Sequence, residues 1–192
     1  MIRVIKVGGS LFDWPPLAAA LQNWINDQPP AKNVLLAGGG EFAEAIRRAD
    51  RLFSLGAESS HWLSIEALRV STRLLAAVVR DARLLTSYQD LVSGVNQDSA
   101  ITVIFDPSDL LRNNEPQMPG KPLPRSWSVT SDSIAARLAQ ILPADELVLL
   151  KSTDPPQVQL TAMAAAGYID SHLPKIATLL PLRFVNLRKV GC

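Results

Sequence analysis

The sequence predicts an α/β fold, a three-layer α/β/α sandwich on a mainly parallel sheet, and three observations carry that reading. Short β-branched runs alternate with helical periodicities along the whole chain. Glycine clusters close the first two of those runs, at Gly8-Gly9 and at Gly38-Gly39-Gly40. The chain has 192 residues, of which 47% are hydrophobic and 19% charged. That suits one substantial core, and residues 1–192 are expected to form a single domain.

The elements follow in order. Residues 2–7 are apolar and β-branched and read as a buried strand. Pro15-Pro16 opens a helix on which Leu17, Leu21, Trp24 and Ile25 recur at helical spacing. Residues 33–37 make a second strand. The helix after it should turn Phe42, Ala45, Ile46 and Ala49 inward. The longest helical pattern runs over 58–80, with Leu63, Ala67, Val70, Leu74 and Val78 in one stripe and Arg69, Arg73 and Arg80 off it. This helix is the candidate surface for a homo-oligomer. A strand at 101–105 precedes a proline-rich stretch, 113–125, expected to be a surface loop and a candidate lid. A helix at 131–142 should bury Ile134, Ala135, Leu138 and Ile141. A strand at 146–150, helices at 161–166 and 175–180, and a strand at 182–187 complete the chain.

Composition excludes several classes of function. Lys and Arg total 19 against 18 Asp and Glu, a net charge of +1. No general attraction to nucleic acid or to an anionic membrane follows, so any affinity for anions must be local. The single cysteine, Cys192, allows no intramolecular disulfide and no cysteine-based zinc site, which fits a cytoplasmic protein. Arg3 and Lys6 interrupt the first apolar run, so no signal peptide is expected there. Nowhere do about 20 apolar residues run together, as a membrane span needs. His61 and His172 do not stand at metal-ligand spacing. No Gly-x-Ser-x-Gly elbow supports a serine triad.

In parallel sheets, ligands gather at the carboxyl ends of the strands, and the polar motifs fall there. Lys6-Val7-Gly8-Gly9-Ser10 could bring backbone amides close to a phosphate, with Lys6 beside it. It could equally be a tight turn with a solvated lysine. Its spacing is not that of a Walker loop. Gly38-Gly39-Gly40 stands before a helix N-terminus and offers a second anion or carboxylate site; a flexible turn is the plain alternative. Thr130-Ser131-Asp132-Ser133 are all N-cap residues, and capping alone accounts for them. Lys151-Ser152-Thr153-Asp154 could be a polar turn. Lys175, after Pro174 at a helix start, opposes the helix dipole and hints at an anionic partner. Trp127 is a packing residue or a pocket wall.

Taken in order, these segments resemble the amino acid kinase family. The matching pieces are Lys6-Val7-Gly8-Gly9-Ser10-Leu11, Ala37 to Gly40, Thr130 to Ala135, Leu150 to Asp154, and Pro174-Lys175-Ile176. The resemblance implies an ATP-dependent phosphotransferase. Lys6 would contact the transferring phosphate, and Gly8, Gly9 and Ser10 would hold the nucleotide. Gly38, Gly39 and Gly40 would bind a small-molecule acceptor. Asp132 would orient the lysines, while Lys151, Thr153 and Asp154 would border the nucleotide. Lys175 would stabilise the developing charge, and Mg2+ would bridge phosphates. Within the family the chain is similar to a short branch. One type in that branch phosphorylates an aminomethylfuran-methanol phosphate during methanofuran synthesis. One departure stands out: Asp154 is followed by Pro155-Pro156 rather than by glycine, which removes amide donors.

Two other readings compete. A kinase-like subunit that binds a ligand without turnover fits the altered proline loop. A dinucleotide-binding domain would need the absent Gly-x-Gly-x-x-Gly. Lys6, Asp132 and Lys175 together favour the enzyme, for which Asp132→Asn should slow turnover with little loss of stability.

Overall fold

The computed structural model describes residues 1–96, 100–177 and 180–190; Cys192 and part of the expected 175–180 helix lie outside them. Six strands run in the order β1 (Ile2–Val7), β2 (Lys32–Ala37), β3 (Arg83–Leu85), β4 (Thr102–Phe105), β5 (Glu146–Lys151) and β6 (Leu182–Asn186). They form one sheet in the spatial order β3-β4-β2-β1-β5-β6, and every pairing is parallel. The chain builds outward from β1 through β2 to β4 and β3, then returns to lay β5 and β6 on the other side. The sheet therefore reverses direction of growth at β1, where open α/β sheets place their ligand crevice.

Alternation along the strands sorts two cores. Val4 of β1, with Val34, Leu36, Leu147 and Leu149, faces one layer of helices. Ile5 and Val7, with Leu35, Ala37, Val148 and Leu150, face the other. The first layer draws on α5 (Ser131–Ile141) and the front of α3 (Ala57–Val78). The second draws on α1 (Leu17–Asn26), the end of α3 and α8 (Leu187–Val190). Both faces are covered, which is why the strands read as apolar runs rather than half-polar alternations.

Two helices depart from their predicted faces. On α2 (Gly40–Phe53) no residue is buried, and the expected inward set, Phe42, Ala45, Ile46 and Ala49, stays at least partly exposed. On α3 the buried set is Ser60, His61, Ile65, Ala67, Leu68, Ser71, Thr72 and Leu75. Of the predicted stripe only Ala67 belongs to it; Leu63, Val70, Leu74 and Val78 are exposed. The hydroxyls explain the inversion. Ser71 and Thr72 donate to the carbonyls of Ala67 and Leu68 one turn back, so they enter the core with their polarity satisfied.

Three short elements were not legible in the sequence. β3 has three residues, and α4 (Tyr88–Val95) and α8 lack a long period. The helices expected at 161–166 and 175–180 are α6 (Leu160–Ala165) and α7 (Leu173–Ile176), the second beginning two residues before its expected start. The proline-rich stretch is an ordered loop packed on α5. Glu115 and Arg137 form a buried ion pair at 2.8 Å. The same guanidinium donates to the Pro119 carbonyl at 2.8 Å, and Glu115 also accepts from the Leu123 amide. Gly120 turns there at φ +95° against that guanidinium.

Candidate active site

Register brings the strand ends together. Val7 pairs with Ala37 of β2 and with Leu150 of β5, so the residues after them, Gly8, Gly38 and Lys151, stand side by side. The two glycine loops touch through their backbones. A Cβ on Gly9 would lie 2.3 Å from the Gly40 nitrogen, and one on Gly38 would lie 2.4 Å from the Gly9 nitrogen. Gly40 itself turns at φ +53°. The absent side chains thus let the two loops approach each other. Gly8 is held by its amide on the Leu150 carbonyl, with no room for a side chain.

Parity places the charges. Lys6 shares a face of β1 with Val4, and Lys151 shares a face of β5 with Leu147 and Leu149; both meet the N-terminus of α5. There Asp132 takes both ammonium groups, Lys6 Nζ at 2.9 Å and Lys151 Nζ at 2.8 Å. All three side chains are buried. Burial pushes the Asp132 carboxyl up, but Lys6 and then Lys151 overcome it and hold it at about 2. Burial, and next the neighbouring Lys6, bring the Lys151 ammonium down to about 8 against the pull of Asp132. Two ammonium groups thus share one carboxylate in a desolvated place, and an incoming anion would give each a further partner.

Capping does not account for Asp132. Thr130 makes no side-chain cap on its own helix, and the Ser133 amide is taken by Asp170 from elsewhere in the chain. The Asp132 carboxylate is free to serve the lysines. Tyr168, which no motif marked, completes the arrangement. Its carbonyl accepts from Lys151 Nζ at 2.8 Å, and its ring lies 5.1 Å from that nitrogen. Burial, then Asp132 and Asp154, raise its phenol to about 12, so it remains a donor, here to the Thr153 carbonyl.

These groups open on a cleft of about 700 Å3. Lys6, Gly9, Ser10, Gly39, Gly40, Asp132 and Lys151 line it, with Tyr168 and Asp170 behind. Ser10 joins the β1 loop to the β5 loop through Ser152 at 2.8 Å. At the outer end Trp127 is fixed by its indole N–H on Asp50 at 2.7 Å, with the Arg47 guanidinium over its ring. Gly8, Gly38, Thr153, Asp154 and Lys175 are not among the cleft-lining residues; the Gly8 and Gly38 amides are spent on the Leu150 and Val7 carbonyls. Asp154 pairs with Lys189 and accepts from Asn186. Lys175 is exposed on α7, a single turn, so it stands in the last turn as much as the first and the dipole reading lapses. Arg69 pairs with Glu66 and Asp106, outside the cleft. His61 is buried against Trp62, and His172 precedes α7; neither lines this cleft.

Paired glycine loops at a sheet's switch point, over two lysines sharing one carboxylate, are the equipment of a phosphoryl-transfer enzyme. The comparisons agree. Residues 1–155 match the model of the amino acid kinase family. The chain is 27% identical over 157 residues to the [5-(aminomethyl)furan-3-yl]methyl phosphate kinase of Methanocaldococcus jannaschii, covering 80% of this chain and 67% of that one. Among solved structures it is similar to uridylate kinase from Archaeoglobus fulgidus, with TM-score 0.64 and 15% identity over 100% of this chain and 94% of that one. Carbamate kinase from Giardia lamblia gives TM-score 0.57 and 15% identity over 98% of this chain and 93% of that one. The chain belongs to the amino acid kinase family, and it is a small-molecule kinase.

Proposed function

We propose that residues 1–192 act as one domain that transfers the γ-phosphoryl group of ATP to a small acceptor already bearing a phosphate or a carboxylate. The observation that carries this reading is the Lys6–Asp132–Lys151 cluster beneath two abutting glycine loops. Gly9 and Ser10 take the nucleotide phosphates, while Gly8, its amide spent on the Leu150 carbonyl, shapes the turn behind them. Gly39 and Gly40 take the acceptor anion, aided by the partial positive charge at the start of the 14-residue α2, while the Gly38 amide is spent on the Val7 carbonyl. An anionic acceptor oxygen attacks the γ-phosphorus as the bond to the bridging oxygen of ADP breaks. No base is required. The ammonium groups of Lys6 and Lys151 balance the charge as it moves, and Asp132 holds them apart and aimed. Lys151 occupies the place beside Lys6 that the resemblance gives to Lys175. Mg2+ fits as a passenger on the nucleotide, supplying charge neutralisation there. Asp132 and Asp170 are committed to lysines and amides, and Mg2+ keeps several waters and prefers substrate phosphates.

The M. jannaschii relative's substrate combines a phosphate, a furan ring and an aminomethyl group. This cleft offers partners for each: the glycine loop, the Trp127 and Phe42 rings, and the Glu41 and Glu44 carboxylates at the rim. We therefore place the acceptor in that chemical class, within one-carbon cofactor synthesis. A coupled assay of ADP release tests this, comparing aminomethyl-aryl phosphates with simple carboxylates. Acceptor-dependent ADP release is expected. Stabilisation by ATP with no ADP release from any acceptor would return the protein to the ligand-binding reading.

Self-association is part of the proposal. Leu63, Val70, Leu74 and Val78 form one exposed stripe on α3, and Leu52 and Phe53 of α2 are 76% and 73% exposed. So much apolar surface on one helix pair suits a second copy of the chain. Val70→Glu should reduce the mass seen by analytical ultracentrifugation to that of one chain; an unchanged mass defeats this part of the reading.

No helix among the described residues is long and apolar enough to cross a membrane.

A further inference from the structure

We propose that Asp170 is a positioning residue for phosphoryl transfer, holding the start of α5 so that Asp132 meets Lys151. This rests on the kinase reading above.

Six donors converge on this one buried carboxylate. Oδ2 accepts from the Thr130 amide, the Thr130 hydroxyl and the Ser133 amide, each at 2.9 Å. Oδ1 accepts from the Ser133 hydroxyl at 2.5 Å, the His172 amide at 3.1 Å and the Leu173 amide at 2.9 Å. Asp170 therefore caps α5 from outside and ties it to the turn that opens α7. Two residues earlier, the Tyr168 carbonyl holds Lys151 Nζ. The segment Tyr168-Ile169-Asp170 thus grips both partners of the Lys151–Asp132 ion pair, Lys151 directly and Asp132 through its helix. The contacts close a ring: Asp170, the start of α5, Asp132, Lys151, Tyr168. The Gly8–Ser10 loop lies outside it.

Helix caps are common, but this one departs from a merely structural cap in two ways. It is supplied from about 40 residues away in sequence while Thr130, a good cap residue, is turned to serve Asp170. It also sits in the wall of the reaction cleft. Small displacements of a charge-balancing group are costly in rate, because electrostatic catalysis depends on charges already in place.

The test is Asp170→Asn. The amide is isosteric, but either of its orientations sets an NH2 against two backbone amides and loosens one helix start. Assayed below its melting transition, the variant is expected to lose about 10²-fold in kcat while KM for ATP stays within about threefold, because the nucleotide loop is untouched. A second readout needs no turnover: the pH titration of the Lys151 13Cε signal. Lys151 faces Lys6 from β1, Asp132 from α5, and Tyr168 and Asp170 from the last segment. Asp170 helps keep its ammonium form, so the midpoint should fall in the variant. If Asp170→Asn does not fold, Ser133→Ala removes one hydroxyl donor and should give the same pattern at about threefold to tenfold in kcat. A folded variant with wild-type kcat and an unmoved Lys151 titration overturns the proposal, however far its melting temperature drops. Wild-type protein without ADP release from any acceptor overturns the kinase reading instead. The Lys151 titration then still reports whether Asp170 positions the cluster.

Discussion

Lys6→Met is expected to cut turnover by about 10³-fold and to leave the folded chain no less stable than wild type. The two effects separate because of the charge count at the site. Lys6 and Lys151 both lean on Asp132, at 2.9 and 2.8 Å, in a place shielded from water. Methionine keeps the length and apolar bulk of the lysine stem. Removing the ammonium leaves Asp132 still paired with Lys151, so no buried charge is left without a partner. The phosphoryl group in flight loses one of its two cations. Lys151 also changes. Lys6 is among the causes of its low value of about 8, so in the variant that value moves up. Wild-type kcat/KM should therefore fall as pH rises through about 8, as Lys151 loses its proton, and the residual activity of Lys6→Met should persist to higher pH. A pH profile of both proteins, with thermal melts alongside, checks all three statements. If the variant keeps turnover within a few-fold, Lys6 is not at the reacting phosphate.

Asp132→Asn should differ from it, losing rate and stability together. Sequence reasoning expects little loss of stability, because it reads Asp132 as a residue for turnover rather than as a helix cap. The carboxylate is instead buried and serves two ammonium groups. Its removal leaves both without a counter-charge, a change that costs about 3–5 kcal/mol for buried pairs. Lys151 limits the cost by shedding its proton, since it already sits near 8. Adding Lys151→Met to Asp132→Asn should then restore part of the lost stability and none of the rate. Acid shows the same linkage. The carboxyl is lowered from 3.8 to about 2 by the lysines, so its contribution is complete above pH 4 and is lost between about 4 and 2. Chemical denaturation of the single and double variants at neutral pH, and of wild type across that acid window, decides the matter. An Asp132→Asn protein as stable as wild type would mean the lysines do not depend on the carboxylate.

Much of the fold was written locally. β1 was legible from residue 2 to residue 7, and α1 and α5 began where their start signals stood. Long periods and glycine stops are properties of neighbouring residues, so they survive without a tertiary context. The three-residue β3 carries too little pattern to be seen, and it exists because β4 offers it a partner. α3 shows the limit from the other side. It has an apolar stripe and a second, serine- and threonine-bearing face, and periodicity selects the stripe. The sheet takes the other face, because those hydroxyls can bond back to their own helix.

The site divides in the same way. The chain by itself determined which chemical groups are available: a lysine before a double glycine, a triple glycine before a helix, an aspartate at a helix start, a lysine ending a strand. It also determined their parity, since Lys6 follows Val4 and Lys151 follows Leu149 at the two-residue period of a strand. Only the tertiary structure decided who meets whom. Asp132 is 126 positions from Lys6 and Lys151 is 145, and the register of β1 against β5 is what joins them. It set Asp154 and Lys175 outside the cleft lining, and it brought in Tyr168 and Asp170, which carry no motif. Pairing register and helix docking are settled by the burial of whole faces, and no local stretch of sequence contains that information.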